Sequence, residues 1–93
     1  MNEADQIHHI LSDVAWWEDD QCRNWSMQGG VSVDIGTKGP NWTWAIIRSD
    51  GKKQFGPQAF PTVRQAKASL RVELERMQSE IRDKETGPAQ VSW

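Results

Sequence analysis

NWTWAIIRSDGKKQFGPQAFPT, residues 41–62, sets two tryptophans, an arginine and a lysine pair around an Asp-Gly step. Asp-Gly between apolar runs is a strong hairpin signal, because a two-residue type I′ turn needs positive φ at both central positions. Pairing through Asp50-Gly51 sets Ser49 opposite Lys52, Arg48 opposite Lys53, and Ile46 opposite Phe55. Trp42, Trp44, Ile46, Arg48, Lys53 and Phe55 then share one sheet face, with Thr43, Ala45, Ile47 and Gln54 on the other. The first face reads either as core, which Ile46 and Phe55 favour, or as a recognition surface of aromatics and cations.

The segments on either side supply the other elements. Val31, Val33 and Ile35 alternate with Ser32 and Asp34, a half-buried strand, and Gly36 to Pro40 reads as a loop. Asn2 caps a first helix whose opening turn carries Glu3 and Asp5, and Ile7, Ile10, Leu11 and Val14 make its apolar stripe. That helix is expected to run to about Trp17, with Trp16 pointing away from the stripe.

Thr62 with Gln65 three residues on matches a capping box, and Val63, Ala66, Leu70, Leu74, Met77 and Ile81 form a second stripe that Gly87-Pro88 should end. The expectation is an α+β domain in the order α-β-β-β-α. It has a three-stranded antiparallel sheet, a long C-terminal helix and a shorter N-terminal helix, which could cover one face each. Residues 1–87 make the domain and 88–93 a C-terminal tail. A C-terminal helix of about 24 residues, on the order of 36 Å, outruns so small a core. Its second half should pack on the first helix, stand exposed, or pair with a second copy in a homodimer.

Composition narrows the function classes. The chain has 93 residues, an apolar share of 37%, six tryptophans and no tyrosine. Aromatic bulk therefore supplies much of any core. A single cysteine, Cys22, rules out an internal disulfide, no apolar run is long enough to span a bilayer, and no signal peptide opens the chain. A soluble cytoplasmic protein is expected. The net charge of −2 conceals a division: residues 1–36 carry −6 and residues 37–71 carry +6. Such segments either steer a charged partner or neutralise each other within the fold.

Catalytic and metal chemistry find little support. His8 and His9 diverge by about 100° on a helix and share no metal-ligand spacing with Cys22 or Glu18-Asp19-Asp20. No nucleophile elbow or phosphate-cradling glycine loop occurs, and Cys22 lacks a base and an orienting group. Neither an enzyme nor a bound cofactor or metal is expected.

Two binding readings remain. Trp42 and Trp44 with Arg48, Lys52, Lys53, Arg64 and Lys67 combine stacking surfaces with phosphate-neutralising cations. Over Trp44-Ala45-Ile46, Asp50-Gly51-Lys52 and Phe60-x-Thr62-x-x-x-Ala66, the stretch from Trp42 to Leu74 resembles the three-strand-plus-helix module of AP2-type and phage-integrase arm-binding DNA-binding domains. That resemblance implies a sheet face laid in the major groove, with Trp42, Trp44, Arg48 and Lys53 in contact. The chain departs from the pattern in its first strand, which carries Asp34 and no base, and in the extra Gly56-Pro57-Gln58-Ala59.

The leading expectation is instead a non-enzymatic module that docks on a protein. Trp16, Glu18, Asp19, Asp20, the off-stripe Val72 and terminal Trp93 are its candidate anchors, since tryptophan dominates interface hot spots. In kind, though not in motif, such a chain resembles the small inhibitors of phages and mobile elements, anti-CRISPR proteins among them. An inhibitor of a nucleic-acid-processing complex in a bacterial host is what that likeness implies.

Overall fold

The computed structural model describes the backbone of residues 2–91 and the side chains of residues 2–84; Trp93 lies outside the described residues. The order is α1 (Glu3–Ser12), α2 (Val14–Glu18), β1 (Asn24–Ser26), β2 (Ser32–Lys38), β3 (Asn41–Ile47), β4 (Lys53–Phe55) and α3 (Val63–Val91). It is an α+β fold with four antiparallel strands in the order β1-β2-β3-β4, one more than expected. The added strand β1 is only three residues long and falls in a passage without alternation, so no periodicity announces it.

The expected caps form. The Asn2 side chain accepts from the Asp5 N–H at 2.9 Å, and the Thr62 hydroxyl accepts from the Gln65 N–H at 3.1 Å. The N-terminal helix, however, does not run through to Trp17. Asp13 ends α1 and caps α2, accepting from the Trp16 N–H at 3.2 Å and, through its other oxygen, from the Trp25 indole at 3.1 Å. A short carboxylate competes for backbone N–H groups and prefers a cap to a helix interior. The resulting turn swings Trp16 inward, to 5% exposure, and leaves Val14 60% exposed. At the other end, α3 continues through Gly87-Pro88 to Val91 rather than stopping there.

The hairpin register differs by one residue from the Asp50-Gly51 pairing. Ala45 faces Phe55, Ile46 faces Gln54, and Ile47 faces Lys53. The Gly51 N–H donates to the Arg48 carbonyl and the Arg48 N–H to the Lys52 carbonyl, both at 2.8 Å, with Gly51 at φ +88°. This is a three-residue loop, Ser49-Asp50-Gly51, in which only the last residue needs positive φ. A one-residue slip turns a strand over: Phe55 leaves the core face and is 67% exposed, and Gln54 takes its place.

All three helices lie against one face of the sheet. Val31, Val33, Ile35, Trp44 and Ile46 meet Ile7 and Ile10 of α1, Trp16 of α2, and Ala66, Leu70, Leu74 and Met77 of α3 in one core. Among the described residues no helix lies against the opposite face, so the two faces are not shared between the helices as the sequence allowed. The residues of that opposite face are small or polar: Ser32, Asp34, Gly36, Thr43 and Ala45, with Ile47, Lys53 and Phe55 toward the β4 side.

α1 is keyed to the sheet through Gln6, which is 8% exposed and whose amide oxygen accepts from the Val31 N–H at 2.9 Å. A Cβ on Gly30 would come within 2.7 Å of that oxygen. Gly30→Ala is therefore expected to displace Gln6, orphan a buried N–H and lower stability by about 1–2 kcal/mol. Gly36→Ala, where an added Cβ meets nothing within 4 Å, should be near neutral; chemical denaturation of both variants checks this.

Candidate functional site

The cations that the sequence gathers around the hairpin meet different fates: Lys67 is buried, Arg48 is half-buried, and Lys52, Lys53 and Arg64 stay exposed. Lys67 is only 2% exposed. Its ammonium donates to the Trp16 carbonyl and, at 2.8 Å, to the Asp19 carbonyl, and lies 4.0 Å from the centre of the Trp16 ring. Two carbonyls at the end of α2 and one aromatic face thus occupy its three donors. Burial pushes the Lys67 pKa down, against the pull of Asp20 and Asp19.

Arg48 forms an ion pair and hydrogen bond with Glu3, whose other oxygen accepts from the Ser49 hydroxyl at 3.1 Å. Burial raises the Glu3 pKa, but the bond and charge of Arg48, with Ser49, outweigh it and hold the carboxyl below the ordinary value. Arg64 reaches the Glu18 carbonyl at 3.3 Å and Asp20 at 3.6 Å. Two ion pairs, Glu3 with Arg48 and Asp20 with Arg64, thus join the acidic front of the chain to its basic middle.

The tryptophans follow the same logic. Trp44 is buried and its indole donates to Ser69 Oγ at 3.0 Å; Trp16 donates to the Asn24 carbonyl at 2.9 Å and Trp17 to the Ile10 carbonyl at 2.8 Å. Trp42 is half-buried, bridged to Phe60 in both backbone directions, with the Arg23 guanidinium 5.1 Å from its ring centre. Trp42, Trp44 and Arg48 therefore lie on the helix-covered side of the sheet, and Lys67 within the core. Of the cations expected to read nucleic acid, Lys52 and Lys53 alone are exposed with no ion pair among the described residues.

The protein-docking candidates divide as well. Trp16 is buried and cannot serve as a surface anchor. Glu18, Asp19 and Asp20 are exposed, although backbone and thiol contacts fix Asp19. The Cys22 thiol donates to Asp19 at 3.4 Å, which pushes its pKa up, away from thiolate chemistry. Among the described residues no cluster of three metal-ligating side chains occurs, and no helix is long and apolar enough to cross a membrane. Past Met77 the α3 stripe continues only as the half-buried Ile81, followed by exposed Arg82, Asp83 and Lys84.

Val72 is 68% exposed, and it marks the feature that the sequence did not reveal as a site. β4 and the segment that leaves it run alongside α3, and a groove separates them. One hollow of ≈ 460 Å³ lies among Phe55, Pro57, Val72 and Glu73, floored by Trp44 and Ser69. A second, of ≈ 530 Å³, continues past Val72 and Ser69 along Ala68 and Gln65 to Phe60 and Pro61. The polar groups along it are already engaged. Ser69 accepts from Trp44, and Glu73 is held by Arg76 and, at 2.7 Å, by Gln54. The bond and charge of Arg76 lower the Glu73 pKa. Placing Phe55 correctly required the Ser49-Asp50-Gly51 loop; a glycine third in a three-residue turn was the available signal.

Comparison with protein families, with curated proteins and with solved structures finds no match to this chain.

Two outcomes follow from the charge arrangement. Lys67→Met keeps the stem but leaves the Trp16 and Asp19 carbonyls without their donor, and should cost about 1–3 kcal/mol, read by denaturation followed through tryptophan fluorescence. Glu3, with its folded pKa below the ordinary 4.5, contributes stability that is present above that value and lost as pH falls through the folded one. Glu3→Gln should therefore flatten the loss of stability below pH 4.5 relative to the parent, in melting scans across acid pH.

Proposed function

We propose that this chain is a non-enzymatic binding module that docks on another protein through the groove between β4 and α3, as an inhibitor or adaptor would. The observation that carries this reading is the pair Phe55 and Val72, 67% and 68% exposed on either side of that groove. Their exposure leaves apolar surface in water that a partner would cover. A groove whose serine and carboxylate are both held by neighbours, and which contains no histidine or cysteine, favours binding over catalysis.

A photoreactive side chain at position 72 of the full chain, expressed in its native cell, tests the reading. A discrete protein adduct is expected. Phe55→Ser should reduce it about tenfold, as loss of roughly 1.4 kcal/mol at an apolar contact would, while Lys38→Glu on the open face leaves it unchanged. Absence of any protein adduct, together with a salt-sensitive DNA shift lost in a Lys52→Ala plus Lys53→Ala double variant, would overturn it in favour of nucleic-acid binding.

A further inference from the structure

The sheet edge beside the groove adds a second kind of recognition. Among the described residues β4 pairs with β3 on one side and with no strand on the other. The Gly56 N–H donates to the Trp44 carbonyl and the Arg48 N–H to the Lys52 carbonyl, both at 2.8 Å, so the even-numbered residues of this strand turn their backbone groups toward β3. Antiparallel alternation then directs the N–H and C=O of Lys53 and Phe55 to the free edge, and Pro57 ends the run without a donor. Side chains alternate in step. Phe55 and Lys53 lie on the open face, opposite Ala45 and Ile47, and Gln54 lies on the helix side, where it reaches Glu73 beside Val72.

Charge gives this edge a sign. Arg48, Arg64, Arg71 and Arg76 are all in ion pairs and Lys67 is buried. Lys52 and Lys53 are exposed and have no ion pair among the described residues. We propose that β4 and the adjoining groove take an extended apolar-acidic segment of a partner protein as an added antiparallel strand, a conclusion that rests on the docking reading above. Reading along the added strand, the residue opposite Phe55 is aromatic or aliphatic. The next, opposite Gln54, is apolar and reaches Val72. The third, opposite Lys53, is Asp or Glu.

Cross-strand apolar and opposite-charge pairs are the stabilising units of such a sheet. Two residues of free edge hold too few backbone bonds to bind any strand without them, so the side chains set the specificity. A second copy of β4 fits poorly. Pairing antiparallel about Gln54, it would set Lys53 of each chain opposite Phe55 of the other, leaving both lysines without a carboxylate across the strand.

A random peptide library displayed against the full chain tests this, with selected peptides followed by amide exchange and nuclear magnetic resonance. Enriched peptides should carry the apolar-apolar-acidic triad, slow exchange at the Lys53 and Phe55 amides about tenfold or more, and lose affinity as ionic strength rises. Lys52→Glu plus Lys53→Glu, both exposed and so compatible with folding, should weaken these peptides about tenfold and shift selection to Lys or Arg in the third place. Failure to enrich the triad, or binding that leaves the Lys53 and Phe55 amides unprotected, overturns strand addition. So does protection that arises from a dimer of the chain alone in light scattering. In those cases a surviving protein adduct from position 72 would leave the docking reading standing; loss of the adduct as well would remove both.

Discussion

Lys67 joins the parts of this molecule that the chain itself separates. An ammonium taken out of water costs several kcal/mol unless every donor finds a partner. Here the Trp16 and Asp19 carbonyls and the Trp16 ring supply those partners. The same contacts give the short helix α2 a cationic cap at its carbonyl end, the sign that the helix dipole favours. They hold Trp16 over α3, so that α1 and α2 together close the core against the sheet. The position of α2 thus depends on one side chain from an element about fifty residues away.

That arrangement also decides what the surface can do. With Lys67 buried, Arg48 on Glu3 and Arg64 on the acidic corner, part of the positive middle of the chain is paired with its negative front. The surface also carries an apolar groove with two lysines on its strand rim that have no ion pair among the described residues. Small side chains on the open sheet face leave a flat platform, whereas the edge of β4 offers relief, apolar contact and backbone groups together. The proposed docking of a protein segment draws on that combination, whereas binding a polyanion needs several phosphate-facing cations.

Much of the fold is legible from local rules. The Asn2 and Thr62 caps, the alternation through Val31, Val33 and Ile35, and the stripe from Val63 to Ile81 each depend on neighbours within four residues. All of them form. The exposure of Val72 follows from the same periodicity, as the residue lies off that stripe. Asp13 was legible in principle, since an aspartate just before a helical turn is a capping residue. Its competition with a continuous apolar stripe could only be resolved by what Trp16 and Trp25 gain from the break.

The sequence by itself determined the α+β class, the antiparallel hairpin, the faces of the long helix and the balance of opposite charges. These follow from short-range periodicity and backbone preference, which act before distant residues meet. Tertiary structure alone decided the register of β4, the burial of Trp16 and Lys67, and the pairing of Arg48 with Glu3. Two hairpin loops compatible with Ser49-Asp50-Gly51 differ by one residue. The choice between them rests on whether Phe55 or Gln54 can face α3. These two cations likewise find their partners across the fold, 45 residues apart for Arg48 and Glu3 and 51 for Lys67 and Trp16. Contacts of that range are invisible to any window along the chain, and they are the ones that drew Trp44 and Lys67 out of an apparent basic reading surface and into the interior.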